Sequence, residues 1–181
     1  MSTRHPARER LVGAASDLFY RQGIHATGID EVIAHAGVAK ASLYNNFDSK
    51  DDLVVAYLRA ALERGRSLFA ECLGESDPAA RLRLLFTRLL RAARGEDFAG
   101  CPFANAAAEL EPHHRAWVVV REFDQMVAEF FAEATVTSVD GPLVRQLVVC
   151  YVGALHGAKV RHDPQVVFDA SELALATLTR P

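Results

Sequence analysis

Apolar side chains recur at three- and four-residue steps along almost the whole chain, and no segment alternates with a period of two between turn residues. A backbone patterned in this way buries its stripes by packing helix on helix, so the expected fold class is all-α, with about nine helices. Leu11, Val12, Ala15, Leu18 and Phe19 form the stripe of a first helix that should stop near Gly23. A second, short helix should open at Thr27 or Gly28, with Asp30 and Glu31 at the positive end of its dipole and Ile29, Val32 and Ile33 turned inward. Ala36-Gly37-Val38 interrupts it, and Gly37 stands where a tight turn between two helices needs a positive φ. A third short helix follows from Ala39 to Asn46, after which Ser49 offers an N-cap to a long helix from Lys50 to about Phe69.

Further along, Asp77-Pro78 supplies an N-cap and a proline at the first helical position, opening a helix through Leu82, Leu85, Phe86, Leu89 and Leu90. Gly95 to Pro102 is a linker, followed by helices from Phe103 to Leu110 and from about His113 to Ala134. Gly141-Pro142 marks another break, and two last helices are expected from about Pro142 to Val160 and from Pro164 to Leu178. The chain thus divides into an N-terminal head, residues 4–64, and a larger helical C-terminal domain, residues 65–181.

Composition narrows the functions open to such a fold. Half of the 181 residues are hydrophobic, enough for a substantial core, yet no apolar run reaches the roughly 18 residues that span a bilayer. The charged start, Met1 to Arg10, has no signal-like apolar segment behind it, so a cytoplasmic location is expected. Cys72, Cys101 and Cys150 lie far apart, odd in number and without a C-x-x-C spacing, so reduced thiols and no metal are expected. A net charge of -3 argues against bulk electrostatic binding of nucleic acid, but leaves room for a local basic surface. G-x-S-x-G, H-E-x-x-H and a phosphate-cradling glycine loop are all missing, so neither an enzyme nor a cofactor is expected.

The segment TGIDEVIAHAGVAKASLYNNFDSK, Thr27 to Lys50, resembles the DNA-binding segment of TetR-family transcriptional regulators. Ile33-Ala34, Ala36-Gly37-Val38, Leu43-Tyr44, Phe47 and Ser49-Lys50 match that family's pattern in register, and the close resemblance covers about the first 60 residues. It implies a helix-turn-helix, at about residues 28–47, whose second helix enters the major groove, about 12 Å wide. With Val38, Leu43 and Phe47 inward, the DNA-binding candidates are Thr27, Lys40, Ala41, Ser42, Tyr44, Asn45, Asn46 and Lys50. Lysines suit phosphates, Ser42 and Asn45 can donate and accept at base edges, Ala41 can touch a thymine methyl, and Tyr44 can bond a phosphate. Asn46 and Ala39 depart from the family pattern, which usually has Tyr or His at the first position and a capping Ser at the second.

On the last two helices, Val144, Leu147, Val148, Tyr151, Val152 and Leu155, with Val166, Ala170, Leu173 and Leu178, form stripes that can bury against a second copy or inside the protomer. The resemblance implies the former, a homodimer whose two heads read the half-sites of a palindromic operator. It also implies a cavity for a small, mostly apolar effector, for which the candidates are Phe69, Phe86, Leu89, Cys101, Phe103, Asn105, Trp117, Phe123 and Met126, although core packing is the commoner role of such residues at helical spacing. Cys101 stands just before a helix start, where the dipole can stabilise a thiolate, so thiol modification joins effector binding as an expected route of release, with an inert core cysteine as the alternative. The resemblance favours a repressor; a helical adaptor that has lost DNA binding is the alternative.

Overall fold

The computed structural model of the chain describes residues 7–179, so Arg4, at the expected start of the head, lies outside the described residues, as do the last two positions. Nine helices and no strand occur among the described residues, as the apolar periodicity requires. They are α1 (Ala7–Gln22), α2 (Ile29–Ala36), α3 (Lys40–Tyr44), α4 (Lys50–Leu73), α5 (Pro78–Ala93), α6 (Pro102–Glu109), α7 (Trp117–Thr135), α8 (Pro142–Arg161) and α9 (Gln165–Thr177). Two bounds differ by four residues from those read in the sequence, and the others by two at most. α4 continues to Leu73, and α7 begins at Trp117 because residues 111–116 form turns, with His114 N–H donating to the Glu111 carbonyl.

Two compact units divide the chain, Met1–Leu62 with Pro102–Arg121, and Glu63–Cys101 with Glu122–Pro181. Residues 102–121 therefore group with the head and not with the C-terminal domain. In the first unit α1 packs on α2 and α3 over Leu11, Ala15, Phe19, Val32 and Leu43, all buried. Phe19 meets Tyr57 of α4 edge-on, with centroids 5.7 Å apart.

In the second unit α9 packs against both α5 and α8. The Asp77 carboxylate accepts from Ala80 N–H at 2.9 Å, the N-cap foreseen for α5, and this bond holds the carboxyl below its usual range. Phe69 stacks on Phe130, centroids 4.4 Å apart, and both Phe69 and Phe131 meet Tyr151 edge-on. Arg81 gathers the carbonyls of Glu75, Glu133 and Ala134, pinning the end of α7 to the loop before α5.

The α8 stripe overturns part of the sequence expectation. Val144, Leu147, Tyr151 and Leu155 are buried inside the protomer, where they serve its own core. Of the expected set only Val152 and Leu173 are exposed; Val148, Val166, Ala170 and Leu178 are half-buried. The exposed apolar residues of these helices are instead Val149, Val152, Val160, Phe168 and Leu173. Gly157 serves the same intramolecular packing, since a Cβ there would lie 2.7 Å from Val166 of α9.

Candidate nucleic-acid interface

Gly37 gives the joint between α2 and α3 its shape. Its φ of 60° is left-handed, its N–H donates to the Ala34 carbonyl, and Val38 N–H reaches the Ile33 carbonyl, ending α2 in one residue. Arg10 of α1 completes this end. Its guanidinium donates to the Gly37 carbonyl at 3.0 Å and the Ala36 carbonyl at 3.4 Å, placing a positive charge where the α2 dipole is negative. This cap was not foreseen, because an arginine 27 residues away carries no local signal.

α3 begins after Ala39, which makes no side-chain cap, in keeping with the departure noted from the family pattern. Leu43 and Phe47 are buried and anchor the helix, and the Arg8 guanidinium lies 5.3 Å over the Phe47 ring. With that face fixed, Lys40, Ala41, Tyr44, Asn45 and Asn46 are exposed and Ser42 is half-buried. Six of the eight DNA-binding candidates therefore cluster on and just beyond one short helix. The Asn46 amide is partly committed, donating from Nδ2 to the Ser42 carbonyl at 2.7 Å. Lys40 Nζ lies 2.9 Å from Asp30 Oδ1, and this hydrogen bond and charge raise the ammonium pKa. Half-buried Lys50 sits 6.0 Å over the Phe19 ring.

Thr27 is a correction. It is fully buried, and its hydroxyl donates to the Gly23 carbonyl at 2.7 Å, so it locks the turn before α2 and presents nothing to a duplex. The N-cap of α2 is Gly28.

On the far side of α3, Ser49 and Asp52 form a capping box at the start of α4. Asp52 N–H donates to Ser49 Oγ at 3.1 Å, and Ser49 Oγ–H donates back to the Asp52 carboxylate at 3.0 Å. The Ser49 hydroxyl, with Arg115 at 2.6 Å contributing charge, lowers the Asp52 pKa. Two parts of the first unit that sequence reading missed converge on this head. Glu109, at the end of α6, accepts from the turn before α2, and His114 and Arg115 reach the first turn of α4.

The candidate effector residues do not fall in one unit. Phe103, Asn105 and Trp117 belong to the first, whereas Phe69, Phe86, Leu89, Cys101, Phe123 and Met126 belong to the second. Phe69, Phe86, Leu89, Phe103, Phe123 and Met126 are buried, and Trp117 donates from Nε1 to the Glu111 carbonyl at 2.9 Å. In the second unit an open groove of about 470 Å³ lies elsewhere, lined by Pro142, Arg145, Gln146, Val149, Cys150, Leu173 and Thr177 of α8 and α9. No group of three or more His, Cys, Asp or Glu able to hold a metal ion occurs among the described residues.

A short helix, a three-residue turn opened by a left-handed glycine, and a second short helix with exposed polar residues define a helix-turn-helix protein. Residues 11–57 match the family model described as bacterial regulatory proteins, tetR family. Over its full length the chain is similar to SCO4454, a TetR-family transcriptional regulator from Streptomyces coelicolor, with 31% identity, a TM-score of 0.83, and 96% of this chain and 92% of that one covered. It is also 32% identical over 106 residues to the HTH-type transcriptional regulator LmrA of Bacillus subtilis, covering 57% of this chain and 56% of LmrA. The HTH-type transcriptional repressor DhaR of Mycobacterium sp. is 27% identical over 131 residues, 70% of this chain and 65% of DhaR. The chain thus spans between about half and two thirds of these curated relatives. The chain belongs to the TetR family, a family of regulatory proteins and not of enzymes.

Proposed function

We propose that this protein is a cytoplasmic, DNA-binding transcriptional regulator that reads a palindromic operator as a homodimer, represses, and is released by a small apolar effector or by modification of Cys101. The observation that carries the reading is α3 and its end: Lys40, Ala41, Tyr44 and Asn45 are exposed and Ser42 is half-buried, while Leu43 and Phe47 anchor the segment in the core. Donors and acceptors suited to base edges lie between groups suited to phosphates, on a scaffold that holds them still. The net charge of -3 makes such local placement necessary, since the chain as a whole does not attract DNA.

Dimerisation rests on a second face. Val149 is 70% exposed and Leu173 51%, the two line one groove between α8 and α9, and Val152 and Phe168 of the same helices are exposed as well. Single exposed residues of this kind are ordinary, but a set on two adjoining helices suits burial against the same set of a second copy. Two α3 helices would then meet successive major grooves about 34–36 Å apart. Repression follows from an occupied operator, and DhaR, a relative, bears the name repressor. For the effector we favour the second unit, which holds the apolar candidates Phe69, Phe86, Leu89, Phe123 and Met126 and the half-buried thiol of Cys101.

The test is a titration of the protein against duplexes from the region upstream of its own gene and against scrambled duplexes, at two salt concentrations. Sequence-selective binding that weakens with salt, at two protomers per duplex, is expected. Equal affinity for scrambled DNA would leave a helical ligand-binding protein as the better account.

A further inference from the structure

The helix pair α2–α3 is bracketed on both sides by one short stretch of chain distant in sequence. On the side before α2, the two carboxylate oxygens of Glu109 are both used: Oε1 accepts from Ile24 N–H at 3.1 Å and Oε2 from His25 N–H at 2.7 Å. Gly23, at φ +99°, makes room for this carboxylate, since a Cβ there would lie 3.0 Å from Glu109 Oε1. The same turn is closed from within by the Thr27 hydroxyl on the Gly23 carbonyl. A carboxylate accepting two backbone N–H bonds is among the stronger hydrogen-bonded arrangements a turn can have.

On the side after α3, the contacts come from five and six residues further along. Arg115 Nη2 lies 2.6 Å from Asp52 Oδ1, and His114 Nε2 lies 3.3 Å from Asp51 Oδ1. His114 Nδ1 accepts from Ala116 N–H at 3.0 Å, which orients the ring with Nε2 toward the Asp51 carboxylate. The Trp117 indole bond to the Glu111 carbonyl ties the stretch to the start of α7. Asp51 and Asp52 open α4, and Asp52 also closes the capping box with Ser49.

We propose that residues 109–115 act as a strap that sets where α2 and α3 stand, and that Glu109 is a positioning residue for operator binding. This inference rests on the DNA-binding reading above. The side chains of the first unit's apolar core, Leu11, Phe19, Val32, Leu43 and Leu53 among others, make none of the strap's polar bonds. Loss of Glu109 therefore frees the turn without unfolding the head, and the recognition helix loses a fixed starting point. Displacements of an ångström are enough to break base-edge hydrogen bonds, whose length and angle limits are narrow.

The experiment compares the full chain with Glu109→Ala and Glu109→Gln. Helix content is read by circular dichroism, and affinity for a duplex enriched by the unaltered protein from a random pool is read well below the unfolding temperature. Glu109→Ala is expected to keep its helix content and lose about tenfold or more in affinity. Glu109→Gln, which keeps one oxygen and turns an NH2 group toward the other N–H, is expected to fall between. A role in stability alone would lower the unfolding temperature and leave the low-temperature affinity unchanged, and affinity within twofold for Glu109→Ala would overturn the strap. Should that variant fail to fold, amide exchange of Ile24 and His25 in the operator complex of the unaltered protein decides. Protection supports the strap, and exchange at the rate of an open turn overturns it. Failure of the unaltered protein to enrich any duplex would remove the DNA-binding reading itself, an outcome distinct from equal binding by the variant.

Discussion

The Lys40 ammonium lies 2.9 Å from the Asp30 carboxylate, pairing the first residue of α3 with the first turn of α2. Both side chains are largely exposed, so the pair adds little to folding, but it matters for anything that approaches α3. A phosphate must compete with Asp30 for the same ammonium. Asp30→Asn should therefore tighten duplex binding by up to about fivefold and steepen the dependence of log K on log salt by up to about one. Titrations at four salt concentrations check this, and weaker binding by the variant would show that Asp30 itself contributes to the complex.

Thr27 tests whether burial or family position decides a residue's role. Thr27→Val keeps the volume and removes the hydroxyl that donates to Gly23. It should cost about 1–2 kcal/mol of stability, read from chemical denaturation, because a buried acceptor loses its partner. Duplex affinity measured at low temperature should stay within about twofold. A large loss of affinity in a fully folded variant would return Thr27 to the contact surface.

Val136 holds a β-branched side chain at φ 55°, directly after α7, and is 81% exposed. The left-handed conformation is imposed by the helix end, where Thr137 N–H donates to the Ala132 carbonyl at 2.9 Å and Val136 N–H to that of Glu133 at 3.3 Å. Since the side chain buries little, Val136→Gly should remove strain with no loss of packing and stabilise the protein by about 1 kcal/mol. A higher urea midpoint at unchanged slope is the expected result.

The three thiols should react in a fixed order. Cys72 is fully buried, and burial, with Glu71 adding to it, pushes its thiol up to about 11. Burial also raises the Cys150 thiol, and only Cys101 is half-buried. Alkylation at pH 8, followed by mass spectrometry, should label Cys101 first and Cys72 last, because the thiolate is the nucleophile and must be reached. Early labelling of Cys72 would mean that the second unit opens readily.

Local chemistry made much of the fold legible. Gly37, Ser49 and Asp77-Pro78 announce their turns and caps by residue type alone, and the structure places all three where the sequence did. What escaped was long-range or two-sided. Glu109 is an ordinary acidic residue on an ordinary helix, and its value comes from amides 84 and 85 residues away. Arg10 is silent for the same reason. The α8 stripe misled because that helix has apolar residues on two faces. Periodicity identified Val144, Leu147, Tyr151 and Leu155 correctly as a buried set, but buried inside the protomer; Val149 lies off that stripe and is exposed. A 3.6-residue repeat says that a face is covered and is silent on whether the cover belongs to the same chain.

The first unit is assembled from Met1–Leu62 and Pro102–Arg121, with Glu63–Cys101 between them. On a ribosome adding about 5–20 residues per second, the head waits roughly 3–12 s between the appearance of its first segment and its last. Throughout that interval Asp51, Asp52 and the amides of Ile24 and His25 lack their eventual partners. A nascent chain therefore carries the recognition helix well before it carries the residues that bracket it, and a fragment cut at Leu62 would remain permanently in that early state.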